Sequence, residues 1–442
     1  MGNQELLDGV KKASSMGPWM HGLLERLFPL CRSLTGPGNR ETLSILSDYM
    51  ELSVTEVPSG TDVFGWTVPD EWSPISAEIT GPNGEVYANF ADHNLHLVSS
   101  SQPIDMEIDL DELKEHIYSL PNNPDLIPYV TSYYAPRWGF CMRDKDKQNM
   151  QPGLYRARID TKIKPGGLVY GEAVLEGETD KEILLSTYIC HPSMAADNLA
   201  GVVLSAAIYK LLSRLKKRHY TYRFLFVPET IGAMCWLKNN ETSKAVKNMH
   251  AGLVLSCVGI NDQLIYEKSR QGNTELDRIA ELVIGKTDII EDFRPQQGSD
   301  ERQFCSPGFN LPVGALMRML PGWEFYHTSG DTPEQLTPEI LASSLQATWK
   351  LLVGHEANEK RYVRTDLRGE PMLSKHGLYS TINIADKNEE KMRARKEHVS
   401  LMYLLNYADG EHDLVEIAKK CDADLLELGA LAERLVDVGL LQ

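Results

Sequence analysis

Two histidines, one aspartate and one glutamate stand where apolar runs of the chain stop. His191 and Asp197 lie in EILLSTYICHPSMAADNLAG, Glu229 in YRFLFVPETIG and His327 in EFYHTSGDTPE. Open α/β sheets gather their ligands at the carboxyl ends of strands. Imidazoles and carboxylates at such tips have the chemistry of a zinc hydrolase: some hold the ion and a remaining acid moves protons.

His191 closes an apolar strand, and Pro192 turns the chain away there. An imidazole so placed suits a metal ligand, although a lone histidine more often serves a core or a turn. Asp197 shifts that balance. It opens the run DNLAGVV, where a carboxylate can cap a helix and still present an oxygen to a cation. Glu229 follows the apolar YRFLF and suits a general base, an ion pair or turn being the plainer role. His327 follows Tyr326 and precedes Asp331, which either orients the imidazole or caps the next helix. Cys190 adjoins His191, but alternation along a strand sends neighbours to opposite faces, so it is set aside as a ligand.

The loop GSDERQF offers substrate contacts: Asp300 and Glu301 to an ammonium, Arg302 to a carboxylate, with a solvated charged loop as the alternative. Tyr133, Tyr134, Arg137 and Trp138 are candidates for a cleft wall or, more simply, for core packing.

The elements that must position these residues follow from pattern. Residues 17–53 read as two helices around a glycine-rich break. Residues 54–159 alternate short β-prone pieces with turns and read as an inserted β-rich module. From 160 to 355 strand and helix alternate, which predicts an α/β core with a mostly parallel sheet and helices on both faces. The core is thus 1–53 with 160–355. Residues 356–390 read as a connecting segment with a short β-like LYSTI. Residues 391–442 carry three short helical periodicities with N-caps at Asp413 and Asp422, a small winged helix-turn-helix.

Net charge is −17 and hydrophobic residues make up 42%. This balance argues against nucleic-acid or anionic-membrane partners. From residue 401 onward nine acids face three bases, so the winged helix is expected to make protein contacts and not to read DNA. The seven scattered cysteines read as reduced thiols of a cytoplasmic protein. The first residues lack an apolar h-region or a myristoylation pattern, and no run reaches the length of a membrane span.

The order His, Asp-Asn-x-Ala-Gly, Glu-x-x-Gly and Tyr-His-Thr-x-x-Asp resembles the zinc aminopeptidase superfamily over residues 160–350. The resemblance implies two co-catalytic zincs, with His191 and His327 as terminal ligands, Asp197 as the bridging carboxylate and Glu229 as the base. Three positions depart from it. Thr230 replaces a metal-binding glutamate, Ser256 replaces a metal-binding aspartate, and Ser193 replaces the acid that orients the first histidine. His191, Asp197 and His327 remain, enough for one zinc with an open position. The pieces LCRSLTGPGNRETL, TDVFGWTVPDEW, TSYYAPRWGFCM, YICHPSMAADNLAG, GSDERQFCSPG, FYHTSGDT and LSKHGLYSTI extend the likeness across nearly the whole chain. They resemble bacterial aminopeptidase-like proteins, often associated with polysaccharide or natural-product biosynthesis, which implies the β-rich insert and the winged helix.

The expected function is zinc-dependent hydrolysis of an amide or peptide bond near a free amine, on a peptide or small-molecule substrate. Acyl transfer or cyclisation at the same site is the alternative reaction, and a catalytically inactive binding or regulatory protein is the non-enzymatic alternative. Homo-oligomer contacts are expected through the insert or the winged helix.

Overall fold

The computed structural model describes residues 2–260, 263–285, 287–318, 322–378 and 389–442. Its centre is an eight-stranded sheet in the spatial order Ser53–Pro58, Gly167–Leu175, Thr221–Val227, Glu182–Tyr188, Met249–Leu255, Val313–Met317, Ile265–Glu267, Ile289–Glu291. The four strands from Thr221–Val227 to Val313–Met317 are parallel neighbours. The first two strands and Ile265–Glu267 join antiparallel. Strands covered on both faces read as continuous apolar runs, and Glu182–Tyr188 is buried at every residue.

Side-chain alternation divides two cores across that sheet. Ile183, Leu185, Phe224 and Leu253 face the helices Asn3–Ser14, Gly17–Leu27, Ala200–Leu212 and Pro338–Ala357, while Leu184, Leu225 and Val254 face Trp236 and Phe304. The stretch Ala195–Leu212 is long and apolar enough to span a membrane, and 94% of it is buried within the protein.

The helix Asn3–Ser14 was not anticipated. It seats closely, since a Cβ at Gly9 would lie 2.3 Å from the Trp349 ring. Both boundaries of the predicted insert also move. Ser53–Pro58 pairs with Gly167–Leu175 in the large sheet, so the boundary at 54 falls inside the core. Lying at the sheet edge it is largely exposed, which is why it resembled the insert. The insert's own antiparallel sheet, in the order Val86–Asn89, Glu71–Thr80, Leu154–Lys164, Ile104–Asp109, runs past the boundary at 159. It packs a separate core around Trp72, Phe140 and Tyr155.

At the carboxyl end, Val363 bridges Asp409 and Arg364 bridges Leu441, so part of the predicted connecting segment belongs to the winged helix. The helices there are Glu389–Tyr407, Leu414–Cys421 and Leu425–Asp437. Most of LYSTI lies outside the described residues. Asp413 caps its helix in a reciprocal box with Glu416. Asp422 instead ends that helix with φ +55°, and Asp424 caps the next one. Leu404, Val415, Leu425 and Leu435 join the large core cluster, so winged helix and core share one apolar interior.

Candidate metal centre

Five residues without glycine's freedom hold positive φ in the loops beyond the central strands: His191 (+78°), Ser193 (+49°), Thr230 (+63°), Cys257 (+51°) and His327 (+54°). Each such backbone costs about 1–3 kcal/mol and persists only where its surroundings impose it. Strain is concentrated at the edge where a ligand is expected.

Ligand atoms of His191, Asp197 and His327 lie within 4.8 Å of one another. His327 Nε2 is 2.9 Å from Asp197 Oδ2, and the two imidazole centroids are 5.3 Å apart. Burial pushes the Asp197 carboxyl up, but His191 and His327 pull it below the ordinary range. Burial likewise lowers His327, and the Asp197 carboxylate more than reverses that. Two imidazoles and a carboxylate with these spacings fit a three-ligand zinc centre.

Asp197 has little left for a second ion. Its Oδ1 accepts a hydrogen bond from the Tyr188 hydroxyl, which burial keeps protonated far above its usual range. The Tyr188 oxygen is also 3.1 Å from Ser256 Oγ. Ser193 Oγ accepts from Asn94 of the insert at 2.8 Å. Thr230 donates its backbone N–H to Asp300 Oδ1 at 2.6 Å. The hydroxyls of Ser193 and Ser256 are thus hydrogen-bonded within the protein, while at Thr230 it is the backbone N–H that is held.

Glu229 stands beside the histidines, with Oε2 3.9 Å from His191 Nε2. Ser299 donates to its Oε1 at 2.7 Å, leaving Oε2 turned to the imidazole. The strand ends at Tyr188, so the alternation argument for Cys190 does not apply. Its thiol lies 3.3 Å from His191 Nδ1 and accepts the Glu229 N–H at 3.2 Å. Burial and the Glu229 charge push the thiol well up. Its contact at Nδ1 leaves His191 Nε2 facing Glu229, and Cys190, His191 and Glu229 also bring their ligand atoms within 4.8 Å of one another.

Asp331 neither orients His327 nor caps the following helix. Its Oδ1 accepts from Ala196 N at 2.7 Å and its Oδ2 from Asp197 N at 3.0 Å, so it fixes the backbone that carries Asp197. Burial raises it to about 7 against those two N–H groups. The fully buried Arg32 donates to the carbonyl of His191 at 2.8 Å and to that of Leu27 at 2.6 Å. Burial lowers its guanidinium to about 10.

Asp300 and Glu301 are fully buried behind Glu229, so they form neither the expected ammonium contact nor a solvated loop. Each keeps one carboxyl oxygen without a hydrogen-bond partner. Burial and neighbouring acids raise both, Glu301 to about 7. Arg302 donates to the Ser299 carbonyl at 3.1 Å, steadying the serine that holds Glu229. Tyr326 is 44% exposed and stacks on His327 at 3.9 Å, placing it at the mouth of the site.

The insert reaches this centre through Tyr129, which sequence reasoning did not single out. Tyr129 donates its N–H to the His327 carbonyl at 2.8 Å. Its ring centroid lies 5.1 Å from that of His191 and 5.3 Å from that of His327. Tyr133 stands behind it, with the hydroxyls 2.9 Å apart. Trp138 stacks on His116 and Arg137 donates to the Thr131 carbonyl, so these two serve the insert itself. Tyr134 is exposed and meets Trp66 edge-on.

A family model described as a domain of unknown function (DUF4910) matches residues 21–358, and a winged helix-turn-helix model matches 360–442. A Clostridium acetobutylicum protein, named provisionally for polysaccharide biosynthesis and for an aminopeptidase-like domain, is 40% identical over 99% of both chains. A crystal structure from the same organism, named provisionally as a peptidase, shares 39% identity, covers 100% of each chain and superposes with a TM-score of 0.92. The zinc aminopeptidase of Bacillus subtilis shares the core fold at 13% identity, with a TM-score of 0.56 over 76% of this chain and 94% of its own.

Proposed function

The chain belongs to the DUF4910 family, in the variant that carries a winged helix, and we propose that its core is a single-zinc amidohydrolase acting near a free amine. The observation that carries this reading is the convergence of His191, Asp197 and His327 on one sheet edge, with the Glu229 carboxylate beside them. The aminopeptidase-like fold supports it. The hydrogen bond from Tyr188 to Asp197 Oδ1 favours one ion over two. The name of the Clostridium relative extends the candidate substrates from peptides to N-acylated sugars and other small amides.

His191, Asp197 and His327 would hold the zinc, which when bound acidifies water and polarises an amide carbonyl. Glu229 Oε2 is the atom free to take a proton from the attacking water and return it to the leaving amine. Ser299 keeps Oε1 from turning away.

The test is Glu229→Gln against a panel of aminoacyl amides and N-acyl amino compounds. A drop of about 10²–10⁴ in kcat with unchanged zinc content is expected. Full turnover with stoichiometric zinc on a true substrate would reject Glu229 as the base.

A further inference from the structure

At the opposite end of the large sheet a second group of ligand-type side chains meets. His250 sits near the start of Met249–Leu255, Glu275 opens the helix Glu275–Val283, and His355 lies in the last turn of Pro338–Ala357. His250 precedes Ser256 by six residues, which at about 3.3 Å per residue puts this cluster roughly 20 Å from the His191 edge.

The donor atoms of the three side chains lie within 4.8 Å of one another. His250 Nε2 is 3.1 Å from Glu275 Oε2, and His355 Nδ1 is 3.4 Å from Glu275 Oε1. Two ligand atoms at about 2.1 Å from a tetrahedral zinc stand about 3.4 Å apart, so the spacing is already that of a coordination edge. His355 supplies an independent sign. It is fully buried, and neither ring nitrogen makes a well-directed hydrogen bond, Nδ1 meeting only the Glu275 carboxylate at 3.4 Å. Buried imidazoles are ordinarily satisfied, and a cation between His355 and Glu275 supplies what is missing.

The neighbours orient this group as outer partners orient metal ligands. Tyr220 stacks on His250 with centroids 4.9 Å apart and planes at 15°. Asn358 donates to Glu275 Oε1 at 2.9 Å and accepts the N–H of Val415 at 3.1 Å. Arg278, one turn along from Glu275, pairs with Asp413 at 2.9 Å. Val415 and Asp413 belong to the winged helix, so the cluster lies on its seam with the core.

We propose that His250, Glu275 and His355 form a second transition-metal site of the zinc-binding kind, separate from the His191 centre, that fastens the winged helix to the core. Zinc fits two imidazoles and a carboxylate better than the oxygen-seeking calcium or magnesium does. The ion replaces the loose contact between His355 and Glu275 with two fixed bonds, and through Asn358 steadies the first turn of Leu414–Cys421.

The experiment uses the full chain with His191→Ala and His327→Ala together, which disables the first centre and leaves the proposed one untouched. After zinc loading and dialysis, this protein is expected to retain one zinc per chain. Loaded with Co²⁺ alone, it is expected to show the visible absorption of a low-symmetry nitrogen–oxygen site. Adding Glu275→Gln, or the gentler His250→Asn at a half-buried position, is expected to abolish both signals and the rise in melting temperature caused by zinc. A folded His191/His327 variant that holds no zinc and no coloured cobalt overturns the proposal. So does metal retention unchanged by Glu275→Gln. Neither outcome bears on Glu229 or on hydrolysis.

Discussion

Asp331→Asn tests whether the Asp197 ligand is held in place from behind. Two backbone N–H groups, from Ala196 and Asp197, converge on the two oxygens of this buried carboxyl. The asparagine has the same shape but one acceptor, so its NH₂ must face one of those donors. A buried donor left without a partner costs about 1–3 kcal/mol. The penalty acts on the residue whose carboxylate meets His327. Outer-sphere partners of this kind change metal affinity about 10–100-fold, equivalent to about 1.4–2.7 kcal/mol. Zinc affinity should be measured at pH 8, where a carboxyl raised to about 7 is mostly ionised and accepts from both donors. The measurement is competition with a chromophoric chelator, in a background carrying Glu275→Gln so that only the His191 centre titrates. The Kd is expected to rise within that range. A folded Asp331→Asn protein with the wild-type Kd would show that Asp331 does not position Asp197.

Two further predictions concern stability and partners. Burial and the Glu267 charge hold Glu301 at about 7 against an ordinary 4.5, so the folded chain binds that proton more tightly than the unfolded one. Its stabilising contribution is complete below about 4.5 and is lost as pH rises to 7, on the order of 3 kcal/mol in all. Urea midpoints at several pH values should therefore show a shallower decline for Glu301→Gln, and parallel curves for the two proteins would refute the assignment. The winged helix is expected to leave nonspecific duplex DNA unshifted at low salt. Its Leu425–Asp437 helix packs inward, with Gly429 against Asn3, and a salt-sensitive gel shift would contradict this.

How much was legible in the sequence depended on whether a residue's role is local. His191 and Glu229 stood out because each closely follows a strand end, visible as a break in an apolar run. Asp197 lies in a helical turn nine residues past its strand, and His327 in a loop after Val313–Met317, where no strand precedes it directly. The layered core was legible from such breaks too. Tyr188, Tyr129, Arg32 and Ser299 were not. Tyr188 is one more apolar residue of its strand, and Tyr129 sits among turns of the insert. Each acquires its role from a partner far along the chain. Asp300 and Glu301 misled in the opposite direction, since a charged loop reads as solvated until packing buries it. The strand Ser53–Pro58 was misassigned because an edge strand of a large sheet looks like any strand of a small one.

The departures from the aminopeptidase pattern are best understood together. The resemblance to the aminopeptidase pattern implies acids where Thr230, Ser256 and Ser193 stand, and all three are uncharged residues. Carboxylates crowded without a cation would repel and take up protons, so an edge with fewer acids suits the single ion proposed above. Asn94 of the insert holds Ser193 Oγ, and Tyr188 meets Ser256 Oγ. The carboxyl groups of the edge are each held from behind, Asp197 through its backbone by Asp331 and Glu229 through Oε1 by Ser299. On the proposed reading these two carboxyl groups are ligand and base, and Tyr129 of the insert, which lies against both histidines, is placed to shape which substrate reaches them.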